Sequence, residues 1–268
     1  MKRHDPDTIL LLREQIARIE RHHGASGAGR RLATGLDDLD DHLKGGLLRG
    51  ALHEFCGVRQ DRALCARPAH FAASILARHP GQIVWLSGTP LDLHADGLHA
   101  AGLSPGRVIC VEAASSGEVP ALCEDILREK GLLALVAELD TPLTLTTSRR
   151  LQLAAETGRV TGFLLHRPAH RQRDRPLPPS ACHTRWRISS EPSILPFSPT
   201  ALIPPPGPPR RRVELLRQRA GRPASWLFEV PEHDTPYSVS LASPVANRSV
   251  ASPSSRHLHV VGAGAALP

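Results

Sequence analysis

Three groups of arginines have the types and spacing for chemistry on a polyanion: Arg149-Arg150, Arg185 and Arg187 flanking Trp186, and Arg210-Arg211-Arg212. A guanidinium offers planar N–H donors that fit phosphate or carboxylate oxygens two at a time. Arg149 and Arg150 open a helical pattern whose positions Leu151 and Leu153-Ala154-Ala155 are expected to turn inward. Basic groups at a helix N-terminus oppose the macrodipole at a cost of roughly 0.3–1 kcal/mol. Contact with DNA or a partner would offset that cost, as would pairing with an acid such as Glu156. Along the alternating stretch Thr184–Ile188, Arg185 and Arg187 share one face and Trp186 takes the other. Arginines interleaved with an aromatic can bind a single strand by phosphate contact and stacking. The weight falls instead on Trp186 as core, with its two arginines facing solvent or phosphate. Arg210 to Arg212 enter a strand as the densest positive cluster, open to either nucleic acid or water.

Other chemistries lack their residues. The five cysteines, Cys56, Cys65, Cys110, Cys123 and Cys182, form no Cys-x-x-Cys pair and are expected to be free thiols. Fifteen histidines include His22-His23 and His166…His170 but no His-Glu-x-x-His spacing, and all are expected to be surface groups. Ser115-Ser116-Gly117 has no nucleophile-elbow frame. No metal, cofactor or catalytic triad is expected.

The elements that must hold these residues come from hydrophobic patterning. Apolar residues make up 41% of 268, enough for a substantial core, and aromatics only 3%, so that core is expected to be aliphatic. Short apolar strands at Ala51–Phe55, Gln82–Ser87, Arg107–Glu112, Leu132–Leu139 and Thr161–His166 alternate with helical patterns. The helices are expected at 36–43, 68–78, 92–102, 119–130 and 148–157. That alternation predicts an α/β fold with a mostly parallel sheet covered on both faces.

The chain divides into an amphipathic helix at 1–24, a core at 30–167, a Pro-rich linker at 168–209, a β-hairpin at 210–230 and a tail at 231–268 expected to be disordered. In the helix, Ile9, Leu12, Ile16 and Ile19 share one face, suited to packing at home or on a neighbouring subunit. The linker holds 12 prolines and an embedded strand near Cys182–Ile188. Formal charge is −2 over residues 1–157 and +9 over 158–268, so a polyanion would meet the back half. No signal-peptide pattern or apolar run of membrane length is present, and a cytoplasmic location is expected.

Thr34-Gly35-Leu36-Asp37-Asp38-Leu39-Asp40, Gly45-Gly46-Leu47-Leu48-Arg49-Gly50 and His53-Glu54-Phe55-Cys56-Gly57 resemble the start of the RecA-type ATPase core. The resemblance places Gly57 at the first glycine of a phosphate loop. A working loop reads Gly-x-x-x-x-Gly-Lys-Ser/Thr, so that backbone N–H groups and a lysine meet phosphate and a hydroxyl holds magnesium. Here Arg62, Ala63 and Leu64 stand at the last three positions. The family's general-base glutamate falls at about Gly88, and Glu138 or Asp140 would be the acid near the magnesium position. The resemblance therefore implies a loop that does not hydrolyse ATP.

Ser148-Arg149-Arg150-Leu151-Gln152-Leu153-Ala154-Ala155-Glu156 with Gly162-Phe163-Leu164-Leu165 resembles the ImuA family, RecA-like accessory proteins of bacterial damage-inducible mutagenesis. Thr184–Ile188, Val213–Arg219, Gly221-Arg222-Pro223 and Ser225-Trp226 extend the likeness over about 30–230. It implies a non-catalytic adaptor in SOS-induced translesion synthesis. The partners implied are a Y-family polymerase homologue, an error-prone replicative-type polymerase, RecA or DNA. An ATPase in which Arg59 or Arg62 replaces the lysine, and a SulA-like division inhibitor, remain alternatives.

Overall fold

Residues 31–58, 66–167, 177–192 and 208–229 are described by a computed structural model of the chain. The expected N-terminal helix, Arg62, Ala63 and Leu64, most of the Pro-rich linker and the tail lie outside those residues.

In chain order the elements are β1 (Arg31–Leu32), α1 (Asp37–His42), β2 (Leu47–Leu48), β3 (Leu52–Cys56), α2 (Ala66–Ala77), β4 (Gln82–Ser87) and α3 (Ala95–Ala100). After these come β5 (Val108–Glu112), α4 (Val119–Arg128), β6 (Leu132–Leu139), α5 (Leu145–Gly158), β7 (Thr161–His166), β8 (Thr184–Glu191), β9 (Arg210–Gln218) and β10 (Ala224–Glu229). Eight strands form one sheet in the order β10-β9-β8-β3-β7-β6-β4-β5, and β1 pairs with β2 in a separate ribbon. The strands from β8 to β5 pair in parallel, while β9 and β10 add antiparallel. This is the α/β architecture of a RecA-like core.

Parallel strands need crossovers, and the crossover helices bury both faces. That is why β6 reads Leu-Leu-Ala-Leu-Val-Ala-Glu-Leu, with seven of its eight residues buried. One face, under α1, α2 and α3, gathers Phe55, Phe71, Trp85, Phe163, Trp186, Trp226 and Phe228. The opposite face, under α4 and α5, is packed by Leu, Val, Ala and Cys, with Ile126 partly buried against them. The aliphatic interior expected from composition is thus found on one face only, because the few aromatics converge on the other.

The C-terminal strands are continuous with this sheet. β8 lies parallel beside β3, pairing Glu54 with Arg185 and Phe55 with Trp186. The β9–β10 hairpin then continues outward from β8. Trp186 is fully buried, its ring stacked 6.3 Å from Phe55 at an interplanar angle of 10°. The period-2 reading of Thr184–Ile188 holds: Trp186 joins the aromatic face, and both arginines take the other.

On α5 one side chain turns the other way from expectation. Leu151, Ala154 and Ala155 turn inward, but Leu153 is 56% exposed, as is Leu145 at 57%. A 3.6-residue period cannot put 151, 153, 154 and 155 all on one stripe, and Leu153 falls on the outer side.

Candidate functional site

Charged side chains meet in two internal clusters, one within the sheet and one near the C-terminal edge of the parallel strands, where open α/β sheets bind ligands. The first centres on Glu54, mid-strand in β3 and 2% exposed. A carboxylate there must be paired, since burying an unpaired charge is prohibitive. Arg185 Nε on β8 donates to Glu54 Oε2 at 2.7 Å, as does the Ser180 hydroxyl at 2.7 Å. His166 Nε2, at the end of β7, lies 3.3 Å from Oε1. Burial pushes the Glu54 carboxyl up, but the His166 contact and the Arg185 charge outweigh it and bring it to about 2. Arg185 also donates to the carbonyls of Leu177 and Pro178, tying the chain before β8 to the sheet. Burial and the Glu54 charge raise the neighbouring Cys182 thiol, which leaves it unreactive at neutral pH.

The second cluster centres on Glu138, near the end of β6, which accepts from Trp85 Nε1 at 2.9 Å and from Arg167 Nη1. Arg167 also grips Asp92 with both Nη atoms, at 3.0 and 2.9 Å. Burial works against the Arg167 charge, yet the Asp92 and Glu138 carboxylates outweigh it and raise its pKa. The Arg167 hydrogen bond in turn holds Asp92 below the usual carboxylate range. Glu138, the candidate metal-organising acid, has its oxygens engaged by protein donors. Among the described residues Asp140 makes only a local contact, accepting from Thr141 Oγ1 at 3.3 Å.

Gly88 closes the site from a third direction. A Cβ built there would lie 2.6 Å from Ser116 Cα and 2.9 Å from Val119 Cγ2. Position 88 therefore accommodates no glutamate without moving the backbone before α4. Gly57 is buried at the end of β3.

The candidate arginines separate by role. Arg187 forms a two-bond pair with Glu214 at 2.6 and 2.8 Å, across the β8–β9 register. Arg212 donates to Glu191 at 2.7 Å, Arg210 lies 3.8 Å from Glu229, and Arg211 approaches His70 Nδ1 at 3.3 Å. Arg150 pairs with Glu124, which Arg128 also holds, while Glu156 binds Gln152 instead. Arg149 is exposed and has no ion-pair partner among the described residues.

A further polar site lies on the other face of β3, beside Glu54 in sequence. His53 is fully buried on β3, with Nε2 2.9 Å from the Leu48 carbonyl and Nδ1 2.7 Å from Thr184 Oγ1. A carbonyl only accepts, so Nε2 carries the proton and Nδ1 accepts from the hydroxyl. Burial drives this ring to about 3, helped by His183 and Arg31. The histidines do not all lie at the surface as expected: His53 and His166 are buried, because each finds a hydrogen-bond partner inside the sheet. Patterning did not single out Glu54, Arg167 or Ser180 as site residues. The available signal was His53-Glu54 inside the otherwise apolar run Ala51–Cys56, where a buried strand must answer each polar group. Among the described residues no cluster of ligand-type side chains fits a metal ion, and no helix is long and apolar enough to cross a membrane.

Fold and site together define a RecA-like α/β protein whose buried acids Glu54 and Glu138 are engaged by its own basic and polar groups. Proteins named Protein ImuA from two strains of Caulobacter vibrioides are each 38% identical to the chain over 216 residues, covering 77% of it and 86% of the relative. No family model matches. On that identity and coverage the chain belongs to the ImuA family, and membership supports involvement in the damage-inducible mutagenesis system.

Proposed function

We propose that the chain is a non-catalytic adaptor of the SOS-induced mutasome, supporting error-prone translesion synthesis by binding rather than by turnover. The observation that carries this reading is the internal use of the buried acids, Glu138 near the C-terminal edge of the sheet and Glu54 within it. Glu138 is held by Arg167 and Trp85, Glu54 by Arg185 and Ser180, and Gly88 has no room for a base. Phosphoryl transfer needs a metal-organising acid and a water-positioning group free to act. An acid already paired gains little from a magnesium ion, because its own cation must first be displaced.

The partners proposed are a Y-family polymerase homologue and an error-prone replicative-type polymerase, with RecA or DNA as further contacts, in the cytoplasm. Arg185, Arg187, Arg210 and Arg212 face acids within the fold, so direct polyanion contact rests on Arg149, and on Arg150 with its shared Glu124.

Titration calorimetry of the purified full chain with ATP and magnesium is expected to show no binding up to millimolar nucleotide. Tight magnesium-dependent binding would overturn the adaptor reading in favour of an atypical ATPase. Co-purification from damage-treated cells is expected to recover the Y-family homologue. Recovery of a tubulin-like division protein in its place would favour the inhibitor.

A further inference from the structure

Arg187, Arg210 and Arg212 lie against carboxylates where β8 ends and β9 begins. The opposite end of that strand pair, where β8 begins and β9 stops, gathers three arginines that do not: Arg31, Arg217 and Arg219. Arg217 Nη1 donates to the Ser180 and Cys182 carbonyls at 2.9 and 3.1 Å. The Arg219 amide donates to the His183 carbonyl at 2.8 Å, which places residue 219 beside the start of β8. Arg31 arrives from β1: its strand partner Leu48 accepts from His53, whose ring lies 6.0 Å from that of His183. Arg31 Nη1 donates to the carbonyls of Leu43 and Gly46 at 2.7 and 2.9 Å. Burial, and then the charges of Arg31, Arg219 and Arg217, hold the His183 ring down to about 4. The three cations thus converge on a histidine that is neutral at neutral pH.

Backbone carbonyls position these side chains without neutralising them. A guanidinium carries five N–H donors, and Arg31 and Arg217 each use only Nη1. Among the described residues none of the three has a carboxylate partner, and the Arg219 side chain makes no hydrogen bond. Arg217 and Arg219 are exposed and Arg31 is half-buried. Like charges held together repel, and an outside polyanion removes that repulsion. The large exposed apolar side chains among the described residues are Ile109 on β5 and Leu145 and Leu153 on α5. None lies on β1, β8 or β9, so this end of the sheet lacks the apolar centre of a protein interface. A phosphate backbone needs only cations with donors to offer.

We infer that Arg31, Arg217 and Arg219 form a phosphate-binding surface for a nucleic-acid backbone, separate from Arg149 and Arg150 on α5. The inference deepens the reading of DNA as a contact of the adaptor and rests on it. Binding there is independent of base sequence, because arginines without an exposed aromatic beside them meet phosphate rather than bases.

The test is fluorescence anisotropy of a short labelled DNA duplex titrated with the full chain. Three phosphate contacts predict that affinity falls roughly fortyfold between about 50 and 200 mM salt. Arg217→Gln/Arg219→Gln keeps an amide donor for the Ser180 carbonyl, so its thermal melt is expected to match the parent. Its affinity at low salt should fall at least tenfold, and the slope of log affinity against log salt by about two. Arg219→Glu alone, at an exposed position, should weaken binding at least tenfold and keeps the test decisive if the double variant folds poorly. Absence of duplex binding by the parent at low salt, or unchanged affinity in both folded variants, would overturn the inference. So would polyglutamate binding as tightly as DNA, which would favour an acidic protein. Co-purification of the Y-family homologue is expected to survive in the double variant, so the adaptor reading is judged separately from DNA binding. Loss of that partner from the folded variant would assign the surface to a protein and sink the nucleic-acid assignment.

Discussion

A buried charge on a central strand is tolerable only while its partner remains. Glu54 meets that condition through Arg185, Ser180 and His166, and Arg185 is itself mostly buried, with 13% of its side chain exposed. Replacing Glu54 by Ala leaves a guanidinium without its anion, and breaking one side of such a pair costs about 3–5 kcal/mol. Urea denaturation of Glu54→Ala is expected to show a loss of that size. Arg149→Glu should change stability by no more than about 0.5 kcal/mol, as an exposed site without a partner does. If partner retention falls in Arg149→Glu while its urea midpoint is unchanged, Arg149 belongs to the binding surface. His53 gives a pH signature. Its folded value near 3 lies below its ordinary 6.5, so the unfolded chain takes up a proton that the folded one refuses. The neutral ring costs nothing above pH 6.5. Below it, stability falls by about 1.4 kcal/mol per pH unit until pH 3. Glu54, depressed to about 2, works in the same direction once the pH drops below 4.5. Denaturation series at pH 7.5 and 5.0 should therefore differ by about 2 kcal/mol from His53 alone, and His53→Asn should flatten that slope.

At the scale of elements, the strands were more legible than the clusters they carry. β4, β6 and β7 match the expected residues end to end, because a doubly covered parallel strand announces itself as an unbroken apolar run. α3 is shorter than expected, Ala95–Ala100 rather than 92–102, and α5 starts earlier, where the Thr144 hydroxyl caps the Thr147 amide. The charge clusters were out of reach for a different reason. Glu54 lies more than 100 residues from both Arg185 and His166, and only the parallel register β7-β3-β8 brings the three together. Gly88 likewise reads as a mere absence of acid until Ser116 is seen packed against it. Gly88→Ala is expected to destabilise by roughly 1–3 kcal/mol, the usual cost of forcing atoms into a filled space. A thermal melt unchanged from the parent would show that the loop at Ser116 yields easily and that position 88 is open after all.

For the whole molecule, the sheet's continuity decides which truncations are informative. Residues 158–268 carry the basic excess, which invites removal of everything from 210 onward to test for partner or DNA contact. That cut would take away β9 and β10, whose Val213, Leu215, Trp226 and Phe228 cover the aromatic face beside Trp186. It would also free Arg187, which Glu214 now holds, and leave β8 as a raw edge. Loss of partners in that chain would report unfolding rather than a missing interface. A chain ending at Glu229 keeps all eight strands, and its melting temperature is expected to stay within a few degrees of the full length. The chain ending at 209 is expected to aggregate or melt roughly 10 °C lower or more, since losing the partners of a buried tryptophan costs about 3–5 kcal/mol. Co-purification with the 1–229 chain then separates the surfaces cleanly. Retained partners place the interface on the RecA-like body, and partners lost with the fold intact place it in residues 230–268.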